Sequence, residues 1–192
     1  MKLNFKFDST VAFKKILQEQ LDKLGLEYNA YGISEVEIVK SITPDEQNQL
    51  INALNQYGIS ILENPKEAFV QKIKDTLIEM IFFDAKLPSE KISIYLEEKL
   101  NHRYGYIANH FSEITHTSIE YYIILQKIER AKRMIIEEGL TLTEVAYQLN
   151  YSSVAHLSTQ FKKITGLTPT VFQRIINKRQ EILQLDKQSK PI

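Results

Sequence analysis

The sequence predicts an α+β chain: an N-terminal βαββαβ sandwich, then an all-α domain in which two helix-turn-helix units are joined by a long helix. Three observations carry this. Residues 1–63 mix period-2 and period-3.6 apolar patterns, residues 141–174 lay out two short helices around a tight turn, and a similar layout occurs about fifty residues earlier. The expected domains are therefore 1–63, 64–178 and a polar tail at 179–192.

Leu3, Phe5 and Phe7 alternate with Lys2, Asn4 and Lys6, which predicts a half-buried strand. Val11, Phe13, Ile16, Leu17, Leu21 and Leu24 then recur at helical spacing, and Gly25 closes that helix. Strands are expected at 26–31 and around Val36 and Ile38. Thr43, Pro44 and Glu46 combine a cap, a first-turn proline and a capping-box acid; the helix they open runs to Gly58, and residues 59–62 supply a last strand. The resulting order is that of a ferredoxin-like sandwich.

Asn64, Pro65 and Glu67 open the next helix, with Phe69, Val70, Ile73, Leu77, Met80 and Ile81 facing inward. Residues 86–89 form a short connection. In 141–174, Thr141 and Glu144 make a capping box, and Leu142, Val145, Ala146 and Leu149 share one buried face. Asn150 suits a left-handed exit from that helix, Tyr151 wedges the corner, and Ser152 or Ser153 caps the helix that follows. In it Leu157, Phe161 and Ile164 face one way, leaving Ala155, His156, Ser158, Thr159, Lys162 and Lys163 outward or sideways. An outer face small at its start and basic at its end fits a major groove, where early residues meet base edges and later cations meet phosphate. An ordinary solvated helix pair has the same periodicity.

The repeat strengthens the first reading. Adding 50 to each number brings Ile107 onto Leu157, Phe111 onto Phe161, Ile114 onto Ile164, Thr115 onto Thr165 and Tyr122 onto Phe172. Leu100 and Asn101 match Leu149 and Asn150 at an offset of 49, so the earlier turn is one residue shorter. Between the copies, residues 118–136 form a long helix with Tyr122, Leu125, Ile128, Ala131 and Ile135 on its packing side. Its nineteen residues span about 28 Å, near the roughly 34 Å between successive major-groove faces on one side of a duplex. Residues 177–192 are polar with a stripe at Ile182 and Leu185 and are expected to fray.

Residues 66–176 resemble the paired helix-turn-helix domain of the AraC/XylS family of bacterial transcription regulators. The run Leu140 to Leu149, the stretch Tyr151 to Gly166 ending FKKITG, the closing LTPTVFQR, and Arg130, Ala131 and Lys132 in the linking helix carry the resemblance. It implies a sequence-specific regulator whose partner is double-stranded DNA. Carried over by position, base reading falls to Tyr104, Gly105, Ala108 and Asn109 in the first copy and to Val154, Ala155, Ser158 and Thr159 in the second, with His156 alongside. Arg103, Ser153, Lys162 and Lys163 are the implied phosphate contacts. Neither reading helix has an outward arginine for guanine, and Asn109 is the best candidate for a bidentate contact, to adenine. Where the second copy has Lys162 and Lys163, the first has Ser112 and Glu113, so the second is expected to carry more of the backbone binding.

The N-terminal part is similar to small heavy-metal-associated domains, which share the element order and bind soft metal through M-x-C-x-x-C. Aligning on LDKLGL puts the two cysteine positions at Thr10 and Phe13, and neither supplies a thiolate, so no metal is expected there. That domain is expected to dimerise the chain or to receive a signal from a partner protein or small ligand.

Composition agrees with a nucleic-acid binder. Formal net charge is zero, but residues 1–100 hold 12 basic against 16 acidic side chains, −4, and residues 101–179 hold 10 against 6, +4. The chain has no cysteine, and neither a signal peptide nor a membrane-length apolar run is visible, so a cytoplasmic location is expected. No phosphate loop, cysteine nucleophile, H-E-x-x-H or carboxylate pair in a recognisable setting is present; an enzyme and a cofactor are not expected. His102, His110 and His116 lack the spacing of a helical metal site. The alternative is a protein-interaction adaptor, or a former metal-handling protein, without DNA binding.

Overall fold

The computed structural model describes residues 2, 3, 5, 7–84, 87, 88 and 90–188, with side chains described to residue 179 and at 181 and 182. It forms two units, Met1–Glu79 and Met80–Ile192.

In the first unit, α1 (Ser9–Lys23) starts where the Asp8 carboxylate accepts the backbone N–H groups of Thr10 and Val11, at 2.9 and 3.1 Å. It ends at Gly25, whose φ of 65° lets Gly25 N–H reach Asp22 O at 3.0 Å and Leu26 N–H reach Leu21 O at 3.1 Å. An antiparallel hairpin follows, β1 (Tyr28–Tyr31) and β2 (Glu35–Ile38), with Tyr28 opposite Ile38 and Ala30 opposite Val36. Its turn passes through Gly32 at φ 71°. The expected capping box opens α2 (Pro44–Asn55): Thr43 Oγ1 accepts Glu46 N–H while the Glu46 carboxylate accepts Thr43 N–H at 2.7 Å. Leu17 and Leu21 of α1 pack on Leu50 and Leu54 of α2, and Phe13, Val36, Ile38 and Ile59 close around them. The unit is completed by α3 (Pro65–Ile78), capped by Asn64 as expected.

Among the described residues the expected four-stranded sandwich is corrected to a two-stranded hairpin with helices. Leu3, Phe5 and Phe7 are exposed and outside any strand, and Met1, Asn4 and Lys6 of that same stretch lie outside the described residues. Alternation predicts one apolar face but does not supply a neighbouring edge to pair with. Residues 59–62 are not a strand either. Ile59 N–H donates to Leu54 O at 3.1 Å to close α2, and Asn64 with Pro65 at once start α3, which leaves Ile61 and Leu62 exposed rather than laddered. The likeness to heavy-metal-associated domains falls with the sandwich. Thr10 and Phe13 both sit on α1, where Phe13 is a packing residue of the core.

α3 runs without a break into a π-helical turn, Glu79–Phe83, with Met80 and Ile81 buried. Of the expected connection at 86–89, Lys86 and Ser89 lie outside the described residues; Leu87 and Pro88 are not helical. The second unit continues with α4 (Ile92–Leu100), α5 (Tyr104–Thr115), α6 (Ile119–Ile136), α7 (Leu142–Gln148), α8 (Val154–Thr165) and α9 (Pro169–Gln188). α6 is the hub: it packs against α5, α7, α8 and α9. Its buried side chains are Ile119, Ile123, Ile128, Ala131, Met134 and Ile135. Tyr122 and Leu125, assigned from the sequence to the packing side, are only half-buried. Of the polar end expected to fray, residues 177–188 belong to α9, and residues 189–192 lie outside the described residues.

Candidate nucleic-acid interface

The backbone repeats itself at the helix ends. Asn101 and Asn150 terminate α4 and α7 at φ 54° and 52°, and His116 and Gly166 terminate α5 and α8 at φ 54° and 79°. A short side chain such as Asn tolerates the left-handed region better than most, and Gly tolerates it best. The polar contacts repeat too. Thr115 Oγ1 donates to Phe111 O and lies 3.3 Å from Thr117 O, while Thr165 Oγ1 makes the corresponding contacts to Phe161 O and Leu167 O. The ring of Phe111 meets that of Tyr122 with centroids 5.4 Å apart, and Phe161 meets Phe172 at the same separation.

In the second copy the capping box of α7 forms, with Thr141 and Glu144 bonding each other's backbone. The Thr141 hydroxyl, which donates to the Glu144 carboxylate at 2.6 Å, and then the Thr141 backbone N–H hold that carboxyl below its usual pKa. Val145, Ala146 and Leu149 are buried and Leu142 half-buried, as the periodicity predicts. The cap of α8 is Ser153, whose Oγ accepts His156 N–H at 3.1 Å. Leu157 and Phe161 are fully buried and Ile164 half-buried, which turns Ala155, His156, Thr159, Lys162 and Lys163 to solvent. Val154 and Ser158 are half-buried at the margins of that surface. Thr159 Oγ1 is folded back onto Ala155 O at 2.9 Å, and the His156 ring lies against Ser152 Oγ at 3.1 Å and edge-on to Tyr151.

The first copy is built differently at the same positions. Arg103 stands at the N-cap of α5 without a side-chain bond there; instead Glu97 reaches from α4 to accept Tyr104 N–H at 2.6 Å. The Tyr104 hydroxyl donates to the Glu120 carboxylate on α6. Burial raises the Tyr104 pKa, helped by Glu120, and the same bond holds the Glu120 carboxyl below its ordinary value. Tyr104 is half-buried, with its hydroxyl tied to α6. Gly105 and Asn109 are exposed and Ala108 is half-buried, and a side chain at Gly105 would meet nothing within 4 Å. Thus α5 has a small, open surface at its start and Asn109 in the middle. The lysine pair of α8 is replaced here by exposed Ser112 and Glu113.

Tyr106 has no place among the sequence-assigned readers, yet it is 48% exposed on α5. Its ring stacks with His102 at 4.9 Å and lies 4.0 Å from His110. The i, i+4 spacing of His102, Tyr106 and His110 was the available signal. Half-buried Lys127 was also missed. From α6 its ammonium donates to Leu149 O at 2.8 Å and lies 5.4 Å from the Tyr151 ring centroid. Burial lowers its pKa. Among the described residues, no group of three His, Cys, Asp or Glu side chains is arranged to hold a metal ion.

Residues 96–175, from the end of α4 into α9, match the family profile of the helix-turn-helix domain. That stretch is similar to the family and spans less than half of the chain. Relatives of this domain include an uncharacterised HTH-type transcriptional regulator in the cgkA 5′ region of Pseudoalteromonas carrageenovora. It is 33% identical over 70 residues, covering 36% of this chain and 41% of that protein. YobQ, an uncharacterised HTH-type transcriptional regulator of Bacillus subtilis strain 168, is 28% identical over 88 residues, or 45% of this chain and 36% of YobQ. The helix-turn-helix match thus spans about two fifths of these relatives' lengths. In fold, the chain is similar to the C-terminal domain of AraT, a response regulator from Geobacillus stearothermophilus, with a TM-score of 0.50 and 19% identity over 58% of this chain and 88% of that one. No helix among the described residues is long and apolar enough to cross a membrane.

Proposed function

We propose that the chain is a DNA-binding transcriptional regulator of the AraC type. It inserts α5 and α8 into successive major grooves of one duplex, with α6 as the spacer. The observation that carries the reading is the duplicated helix end: left-handed Asn101 and Asn150, left-handed His116 and Gly166, and the matching Thr115 and Thr165 bonds. Two copies so alike, both packed on α6, supply two similar outward helices from one chain. With 18 residues, α6 spans about 27 Å, against the roughly 34 Å repeat of a groove face.

On this reading residues 64–178 form the DNA-binding part, and the residues before them are regulatory or dimerising. The base edges are met by Gly105, Ala108 and Asn109, and by Val154, Ala155, His156, Ser158 and Thr159. Tyr104 acts by holding the start of α5 to α6, because its hydroxyl already serves Glu120. Arg103, Ser153, Lys162 and Lys163 meet phosphate. Lys162 and Lys163 are exposed in the last turn of α8 and have no described acidic partner, so binding them to phosphate breaks no ion pair.

The test is a gel shift with random-sequence duplex at low salt. The intact chain retards the duplex, and the double substitution Lys162→Glu, Lys163→Glu abolishes the shift. An intact chain that binds no duplex at any salt concentration would instead support a protein-interaction role.

A further inference from the structure

The first unit holds an open cavity of about 850 Å³ between α1, the hairpin, α2 and α3. Its size falls within the roughly 300–1,000 Å³ range of small-molecule sites, and its walls are mainly apolar, as such sites usually are. Phe13, Leu17 and Leu21 line it from α1, Val36 from β2, and Leu50 and Leu54 from α2.

Among the lining residues three carry formal charges, Glu35 of β2 and Lys72 and Asp75 of α3. Two cancel: Lys72 Nζ stands 2.8 Å from the Glu35 carboxylate. The third does not. Asp75 is only 6% exposed, and its carboxylate accepts Ser34 N–H at 3.1 Å, the Ser34 hydroxyl, and Gln71 Nε2–H at 2.8 Å. All three donors are neutral, and no described cation pairs with it. Hydrogen bonds from neutral groups satisfy lone pairs but leave the net charge in place, and a buried uncompensated charge favours an opposite charge arriving with a ligand.

We propose that this cavity binds a small lipophilic cation, its apolar body against the leucines of α1 and α2 and its positive group facing Asp75. An anion of the same shape meets the Asp75 charge and is rejected; a neutral molecule gains the apolar contact alone. None of the residues proposed above for base or phosphate contact lines this cavity, although α3, which carries Lys72 and Asp75, belongs to residues 64–178.

Tetraphenylphosphonium and tetraphenylborate have nearly the same shape and opposite charge, and calorimetry of the full-length chain with each decides the matter. The phosphonium binds at a single saturable site, at least about tenfold more tightly than the borate, and Asp75→Asn weakens it by at least about tenfold. Methyl resonances of the unsubstituted chain provide a check that does not depend on a variant folding: phosphonium shifts those of Leu17, Val36, Leu50 and Leu54. No saturable phosphonium binding, equal affinity for the two ions, an unchanged affinity in a folded Asp75→Asn chain, or shifts confined to other methyl groups would each overturn the proposal.

Discussion

The Lys127 ammonium, on the central helix α6, donates to the carbonyl of Leu149, the C-cap of α7, at 2.8 Å. A cation at a helix C-terminus meets the negative end of the helix dipole, and this one also lies over the Tyr151 ring. The contact fixes the turn of the second helix-turn-helix copy to the helix shared by both.

Lys127→Met is therefore expected to destabilise the second unit by about 1–2 kcal/mol, because it leaves the Leu149 carbonyl without that donor. Urea unfolding followed by circular dichroism measures the loss. Burial also sets a pH signature. The folded-state pKa of Lys127 is depressed, so over the interval below the ordinary lysine value of about 10.4 the unfolded chain binds more protons, and stability rises with pH there. In Lys127→Met this increment is absent.

The Tyr104 bond to Glu120 predicts an acid-dependent effect. Glu120 has a lowered folded-state pKa, so its contribution is fully present above the unfolded glutamate value of about 4.3 and is lost as pH falls through the lowered folded value. Tyr104→Phe is expected to cost about 1 kcal/mol at pH 7, a figure discounted for the solvent exposure of Glu120, and almost nothing once that carboxyl is protonated. Thermal melts of the two chains at pH 7 and in acid should converge.

Core packing gives a sharper contrast between the two termini of the chain. Phe161 is fully buried against Phe172, whereas Phe5 is 84% exposed. Phe161→Ala is expected to cost about 3–5 kcal/mol, and Phe5→Ala less than about 0.5 kcal/mol. An equally large loss at Phe5 in chemical denaturation would mean that the N-terminal apolar alternation does pair with a sheet.

Those two phenylalanines also mark what was legible in the sequence. Phe161 belongs to a pattern that is local and redundant: a serine cap, and a buried arc and a left-handed end that recur fifty residues apart, each of which restricts the backbone within a few residues. Phe5 belongs to an alternation that needs a partner strand from elsewhere, and no local pattern says whether one exists. The same division runs through the interface. The exposed positions on α8 follow from helical periodicity, but the bond from Tyr104 to Glu120 spans two helices, and Lys127 reaches Leu149 across 22 residues of chain. On α6 itself, Ile119, Ile123 and Met134 were missed because that helix packs against four others and so buries a wider arc than a single stripe.

The central claim, that α5 and α8 read neighbouring turns of one duplex, is tested most directly by hydroxyl-radical footprinting on a site selected from a random duplex pool. The account predicts two protected patches on one side of the duplex, about 10 base pairs apart, with Lys162→Glu, Lys163→Glu erasing the one that belongs to α8 before the other. A single patch from one bound chain, or two patches on opposite sides of the duplex, would contradict it.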